Sequence, residues 1–360
     1  MKKRAMTKRN GILWLVGGIG LAVLVYLFRS KVHFDWAMFW QQLRFVSMGH
    51  IVAGIALIYA TYWVRAVRWA VFISPTKTVS ASSLLGSQFI GFTAVALFGR
   101  LADLTRPYLV ARRVGLSLSS QIAVYTIERM FDLGAAAVIF SCALAFTPKE
   151  LPHHEVFVRS GVLSMGATLA IAVFAGAIRV AGGAVAGFAR GTLGLVSKSA
   201  GESISTKILG FRDGLNALSS IRDFGVVVVL SLAMWGMIGF AYVETAHAFG
   251  NTPELASLTF SRTMLLMAAS IGGSLLQLPI IGWFTQIAFT ATAMHTFYGA
   301  PIEAATACGA ILLVVTFLSI IPTGFIYSHL EHVSLKRIAQ ESEAARAEVE
   351  TPDVQLGQRR

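Results

Sequence analysis

Long apolar runs alternate with short polar stretches along this chain, and the lengths of the runs predict helices that cross a membrane. GILWLVGGIGLAVLVYLFR (11–29) and HIVAGIALIYATYWVRAVRWAVFI (about 50–73) are each long enough to span at 1.5 Å per residue. SLLGSQFIGFTAVALFG (83–99) is near the lower limit and runs straight into the charged stretch RLADLTRPYLVARR. A long helix is predicted over 115–146, a span over 157–180, another over 223–248 and a last one over 301–327. Between 260 and 300 lie two apolar pieces, broken by Gly272-Gly273, Gln277, Pro279 and Gly282. Broken helices are tolerated at membrane depth only where protein or a water-filled cavity satisfies the freed backbone groups.

Charge sets the orientation. Lys2, Lys3, Arg4, Lys8 and Arg9 precede the first span, which places the N-terminus in the cytoplasm by the positive-inside rule. The second span then returns the chain to the cytoplasm at Lys77, and an outward crossing by 83–99 would put RPYLVARR on the wrong side. A re-entrant hairpin that enters and leaves from the cytoplasm resolves the conflict, and 260–300 reads as a second hairpin entering from outside. The expected fold is thus all-α and polytopic, with about six full spans and two hairpins in a possible inverted repeat of halves 11–146 and 157–327. Residues 181–222 read as a cytoplasmic connector lying partly on the membrane surface. The transmembrane domain covers 1–330, and the cytoplasmic tail 331–360 reads as a frayed helix followed by disorder.

Composition supports the membrane class. Only 13 % of the 360 residues are charged, against about 25 % in soluble domains, and the mean hydropathy is +0.67. The net charge of +12 is carried beside apolar runs, where cytoplasmic loops face anionic lipid, which argues against nucleic acid as a partner. Cys142 and Cys308 both sit in apolar segments and make no disulfide framework, and His153-His154 has no partner at metal-ligand spacing. No metal and no cofactor are expected.

Charged side chains inside spans cost about 2.5–3.5 kcal/mol each on insertion scales, so each needs an account. Arg65 and Arg68 share one helical face near the cytoplasmic end of their span, where snorkelling to headgroups competes with a functional role. Glu128, Arg129 and Asp132 in YTIERMFDL sit mid-helix, as a local cluster of charge −1 that an external Arg would neutralise. That cluster is either a buried brace or a charge relay. Arg100, Asp103 and Arg106 lie on the first hairpin, and a helix opening near Pro107 would aim its N-terminus at a phosphate held by Arg100 and Arg106.

In order and spacing, RAVRWAVF, FGRLADLTRPYLVARRVGLS, TIERMFDL and LLQLPIIGWFTQ resemble the lysylphosphatidylglycerol synthase transmembrane region family of flippase-like integral membrane proteins. That family includes the membrane half of multiple peptide resistance factor. The resemblance covers about residues 11–330 and implies a helical protein of the bacterial inner membrane that handles a lipid or lipid-linked headgroup. The family's first-hairpin pattern falls on Gly99, Arg100, Asp103 and Arg106, with Phe98 where Pro is common and Ala102 where Gly is common. Its Glu-Arg pair falls on Glu128 and Arg129. In the second hairpin Pro279 and Gly282 remain, Ile280 and Ile281 replace glycines, and Gln286 stands where an acid is usual. The resemblance does not extend to the soluble aminoacyl-transfer domain of the bifunctional synthases, so synthesis of a lysyl-lipid is not expected of these residues.

The leading functional reading is a flippase for an anionic lipid. Its substrate-binding set is Arg65, Arg68, Arg100, Asp103, Arg106, Tyr108, Gln277, Pro279 and Gln286, with Glu128, Arg129 and Asp132 as relay or brace. A membrane enzyme on lipid phosphates or lipid-linked sugars is the alternative, although the outer loop 30–49 offers only Asp35 and no His lies near the arginines. An accessory subunit partnering a lipid-synthesis enzyme is a third reading.

Overall fold

A computed structural model describes residues 34–147, 149, 154–194, 197–216, 220–274 and 281–350. The expected first span, 11–29, lies outside them. Among the described residues the regular structure is entirely helical.

α1 (Trp36–Arg44) is started by Asp35, whose carboxylate accepts the free N–H groups of Ala37 and Met38. It leaves Trp36, Trp40 and Phe45 exposed. α2 (Met48–Ile73) is a full span of about 39 Å. α3 (Ala81–Phe98) ends at Gly99, whose φ of 67° and ψ of −150° turn the chain into a 3-10 turn, Gly99–Ala102. α4 (Thr105–Val114) follows, and Gly115 at φ 70° closes it by a left-handed cap. α5 (Leu118–Ala145) runs about 42 Å with its three charged residues at mid-length. α6 (His154–Gly194), α7 (Lys198–Asn216), α8 (Ile221–His247) and the short α9 (Pro253–Ala256) lead to α10 (Phe260–Ser274) and α11 (Ile281–Tyr298). The chain ends in α12 (Ile302–Thr316), a 3-10 turn Leu318–Ile320, α13 (Ile321–Leu330) and α14 (Leu335–Glu350).

Both broken regions are antiparallel helical pairs. In the first, Gly91 on α3 sits so close to α4 that a Cβ there would lie 3.1 Å from the Arg106 Cα. The hairpin's mouth is tied by Arg113, which donates to the Ser83 carbonyl (2.6 Å), and by Lys77, which donates to the Val114 carbonyl (2.7 Å). In the second, Gly273 on α10 abuts the Gln286 backbone of α11, and Thr285 Oγ1 donates to the Gly273 carbonyl (2.8 Å). Its mouth lies at Tyr298, which donates to the Arg262 carbonyl, and at Ser261, which donates to the Ala143 carbonyl. α5 starts just past the mouth of the first hairpin and ends at the mouth of the second, so the two open at opposite ends of the bundle.

α2 is the central post. Its Gly54 lies against Val315 of α12 and Thr245 of α8, and its Tyr62 stacks on Phe89 of α3 (centroids 4.7 Å apart), which stacks in turn on Tyr327 of α13. Such ring stacks add about 0.5–1.5 kcal/mol beyond the apolar area they bury.

Three regions depart from the sequence reading. The last span is interrupted: the helix breaks at Phe317 (φ −133°, ψ −49°), and Pro322 can only open the helix that follows. The stretch 181–222 holds a helical pair, in which α6 bends at Ala181 (φ −122°) and α7 folds back on it. Gly201 there approaches the Gly194 backbone nitrogen so closely that a Cβ would lie 2.9 Å away. The tail from 331 contains α14, which buries Leu335 and Ile338 among Ile90, Ala94, Ala102 and Leu109 of the first hairpin. Hydrophobic docking outweighs the polar composition there, because one apolar stripe on a helix is enough to hold it.

Candidate functional site

Charged residues from α2, α4 and α5 meet inside the bundle. Arg68, fully buried, donates from Nη1 to Asp132 Oδ1 (2.6 Å) and Ser231 Oγ (2.8 Å), and from Nη2 to Glu128 Oε1 (2.6 Å). Arg106, 3 % exposed, donates from Nη2 to Glu128 Oε2 and from Nη1 to Glu128 Oε1 and Gln88 Oε1 (both 3.1 Å). Glu128, 1 % exposed, thus accepts two guanidiniums at once. Helical spacing explains how one helix supplies both acids: Glu128 and Asp132 are four apart on α5, so their carboxylates stand one turn above the other on the same face. The neighbouring spacing on α2 places Arg65 and Arg68 opposite them.

Aromatic rings wall the cluster. The Arg106 guanidinium lies over Trp69 (4.6 Å), Phe92 (4.9 Å) and Tyr125 (5.2 Å), Arg65 over Phe92 (4.8 Å), and Arg129 over Tyr125 (5.2 Å). Trp69 is itself held by its Nε1, which donates to Gln121 (3.0 Å). Ring faces attract cations, so this lining compensates part of the desolvation of the arginines.

The charge balance differs from the sequence reading. Among the described residues, four guanidiniums (Arg65, Arg68, Arg106, Arg129) share two carboxylates, so the ion-paired set carries +2 where YTIERMFDL alone carries −1. Asp103, on the turn of the first hairpin, acts electrostatically on Arg129 and offsets one of these charges. The burden is unevenly distributed. Arg68 and Arg106 are tightly paired, whereas Arg65 reaches Asp132 only at 3.8 Å, and Arg129 is 38 % exposed and 3.1 Å from Asp132. The buried atoms Arg65 Nη1, Arg129 Nε and Arg129 Nη2 have no hydrogen-bond acceptor. A buried donor left without an acceptor costs about 1–3 kcal/mol, or more when charged.

The other sequence candidates fall elsewhere. The Arg100 side chain, Gln277 and Pro279 lie outside the described residues. Tyr108 points away from the cluster and donates to Glu341 Oε2 of α14 (3.2 Å). Gln286 donates to Ser270 Oγ (2.8 Å), which also accepts from Tyr242 (2.9 Å), forming a polar chain within and beside the second hairpin. Asp35 is occupied as the cap of α1, and its backbone N–H donates to Glu303 (3.1 Å). Gln88 and Ser231 escaped the sequence reading. Their only signal is a lone amide and a lone hydroxyl in otherwise apolar runs. Among the described residues no group of three or more His, Cys, Asp or Glu is placed to hold a metal ion.

Among the described residues, five helical segments, Met48–Ile73, Ala81–Phe98, His154–Phe174, Ile221–His247 and the interrupted Ile302–Leu330, are long and apolar enough to cross a bilayer. Together with a charge cluster sealed among them, they define a multi-pass integral membrane protein of the all-α class. More specifically, the chain belongs to the family described as the lysylphosphatidylglycerol synthase TM region, whose model matches residues 13–324. No curated protein and no solved structure matches it.

Proposed function

We propose that this protein moves an anionic lipid headgroup between the leaflets of a bacterial inner membrane, with both termini cytoplasmic. The single observation that supports this most is the excess positive charge at one edge of the buried cluster, where Arg65 and Arg129 keep donors without acceptors. A phosphodiester fits such donors, because a planar guanidinium binds two of its oxygens together. Arg68 and Arg106 serve a different purpose in this reading: Glu128 and Asp132 hold them as a brace between α2, α4 and α5, against which the weakly held pair works. The two hairpins, opening at opposite ends, provide the halves of an inverted repeat that can expose the cluster to one leaflet and then the other. A lipid headgroup stripped of water cannot cross hydrocarbon unaided, so a charged groove between broken helices is the physical minimum for such a step.

Reconstitution tests the proposal. Purified protein in vesicles bearing a labelled anionic phospholipid, with a proton or sodium gradient supplied, is expected to speed its exchange between leaflets. Arg129→Gln and Arg65→Gln are each expected to abolish most of that gain while the protein stays folded. Exchange no faster than in empty vesicles, or exchange untouched by both substitutions, overturns it.

A further inference from the structure

At the mouth of the first hairpin a cavity of about 550 Å³ lies between α4, the 331–334 turn and α14. We propose that it is a second anion site, separate from the central cluster, that takes the phosphate of an anionic glycerophospholipid standing in the adjacent leaflet. Its wall carries Arg112, Arg113, His332 and Arg337 against Glu331 and Glu341.

Three observations carry this. The first is the pattern of pairing. Arg113 is tied to Glu331 (2.8 Å) and Arg337 to Glu341 (2.6 Å), but Arg112, which acts on Glu341 only through its field, makes no hydrogen bond or ion pair with any described residue, so its donors are free for a ligand. A phosphate seated on Arg112 lies within the same wall as the Arg113 and Arg337 guanidiniums, so three arginines outnumber the two carboxylates there, and a guanidinium's planar fork suits phosphate oxygens. The second is the fixed shape of the wall. His332 adopts a left-handed φ of 53°, Val333 N–H donates to the Ser328 carbonyl (2.8 Å) and Ser328 Oγ donates to the Val333 carbonyl, so the turn between α13 and α14 is locked. The third points to a lipid as the source of the phosphate. Ile326 and Leu330, one turn apart on α13, are exposed apolar side chains, 58 % and 66 %, that lead along the helix to the cavity. An acyl chain lying on that track would deliver its headgroup to Arg112. Because α14 supplies one wall, a bound headgroup would also hold the tail helix against the hairpin.

The test uses the full-length protein in nanodiscs made either of phosphatidylcholine alone or of phosphatidylcholine with phosphatidylglycerol, and follows hydrogen exchange of residues 331–345. Phosphatidylglycerol is expected to slow exchange there about tenfold, the protection that a ligand at ten times its Kd confers. Arg112→Gln is expected to remove that protection, and Lys336→Gln, which changes an exposed charge outside the cavity, to keep it. Inorganic phosphate added to the protein in detergent distinguishes the sources: protection lost in Arg112→Gln supports the anion site and assigns it to a soluble phosphate. Two results overturn the proposal. One is equal exchange in both lipids together with no effect of phosphate. The other is a phosphatidylglycerol effect weakened equally by Arg112→Gln and Lys336→Gln, which would make it a property of surface charge. Arg112 is exposed and unpaired among the described residues, so its loss leaves the fold intact, and neither outcome depends on lipid movement through the central cluster.

Discussion

Replacing Glu128 by Gln is the sharpest test of the central cluster. The change keeps the shape of the side chain and removes one negative charge, leaving the ion-paired set at +3 around a position 1 % exposed. Arg106 suffers most, because Glu128 is the carboxylate it bonds, and its other acceptor, Gln88, is neutral. Removing one partner of a buried pair typically costs about 3–5 kcal/mol, since the charge left behind is desolvated without compensation. Asp132→Asn should cost less, roughly 1–3 kcal/mol, because Arg68 keeps Glu128 and Ser231 and the other two partners are long or partly solvated. With the partly buried Cys142 replaced by Ala, Cys308 serves as reporter: it is completely buried, so a thiol-reactive dye reads unfolding on heating. Each kcal/mol moves the midpoint by about 2–4 °C in domains of moderate size, which places Glu128→Gln roughly 6–20 °C below the parent. Adding Arg106→Gln to Glu128→Gln should restore part of the loss, because it removes the uncompensated charge. A Glu128→Gln midpoint no lower than that of Arg337→Gln, an exposed control, would refute the reasoning, and so would strict additivity in the double variant.

Further outcomes follow from the backbone and the surface. Gly91→Ala should cost about 1–3 kcal/mol by prying the first hairpin apart, since its Cβ would lie 2.7 Å from the Arg106 Cβ, and Gly273→Ala should do the same to the second hairpin. Gly134→Ala, with nothing within 4 Å, should instead stabilise α5 by about 0.5–1 kcal/mol, and the same dye assay compares all three. His332→Gly should raise the midpoint or leave it unchanged, because a left-handed non-glycine residue carries about 1–2 kcal/mol of strain, while His332→Val should lower it and loosen α14 to protease. Trp36 and Trp40, exposed on α1, should be quenched by lipids brominated near the headgroup. A fluorescence loss that persists unchanged after both are replaced by Phe would show that α1 does not lie in the interface.

Hydropathy and charge placement alone were enough to determine that this chain is an all-α membrane protein and that two of its apolar regions are broken, while the expected first span, 11–29, lies outside the described residues and the expected last span is interrupted at Phe317. Those signals are local: a run of apolar residues declares its burial in lipid or protein whatever its neighbours are, and Gly99 interrupts a helix through its own backbone chemistry. The sequence also marked Arg65, Arg68, Arg106, Glu128, Arg129 and Asp132 as needing partners, because an ion inside a span is costly wherever it sits. Who pairs with whom was decided only by the tertiary structure. Seen along α5 alone, Glu128-Arg129-Asp132 is an acidic cluster; packing α2 and α4 against it brings three more arginines and reverses the sign. Helix packing likewise sealed Arg106 under Trp69, Phe92 and Tyr125, turned Tyr108 toward Glu341, made Asp35 a helix cap, and docked a polar tail on one apolar stripe. Contacts between residues far apart in sequence leave no periodic trace in it, so a charge's existence is legible in the chain while its balance is a property of the fold.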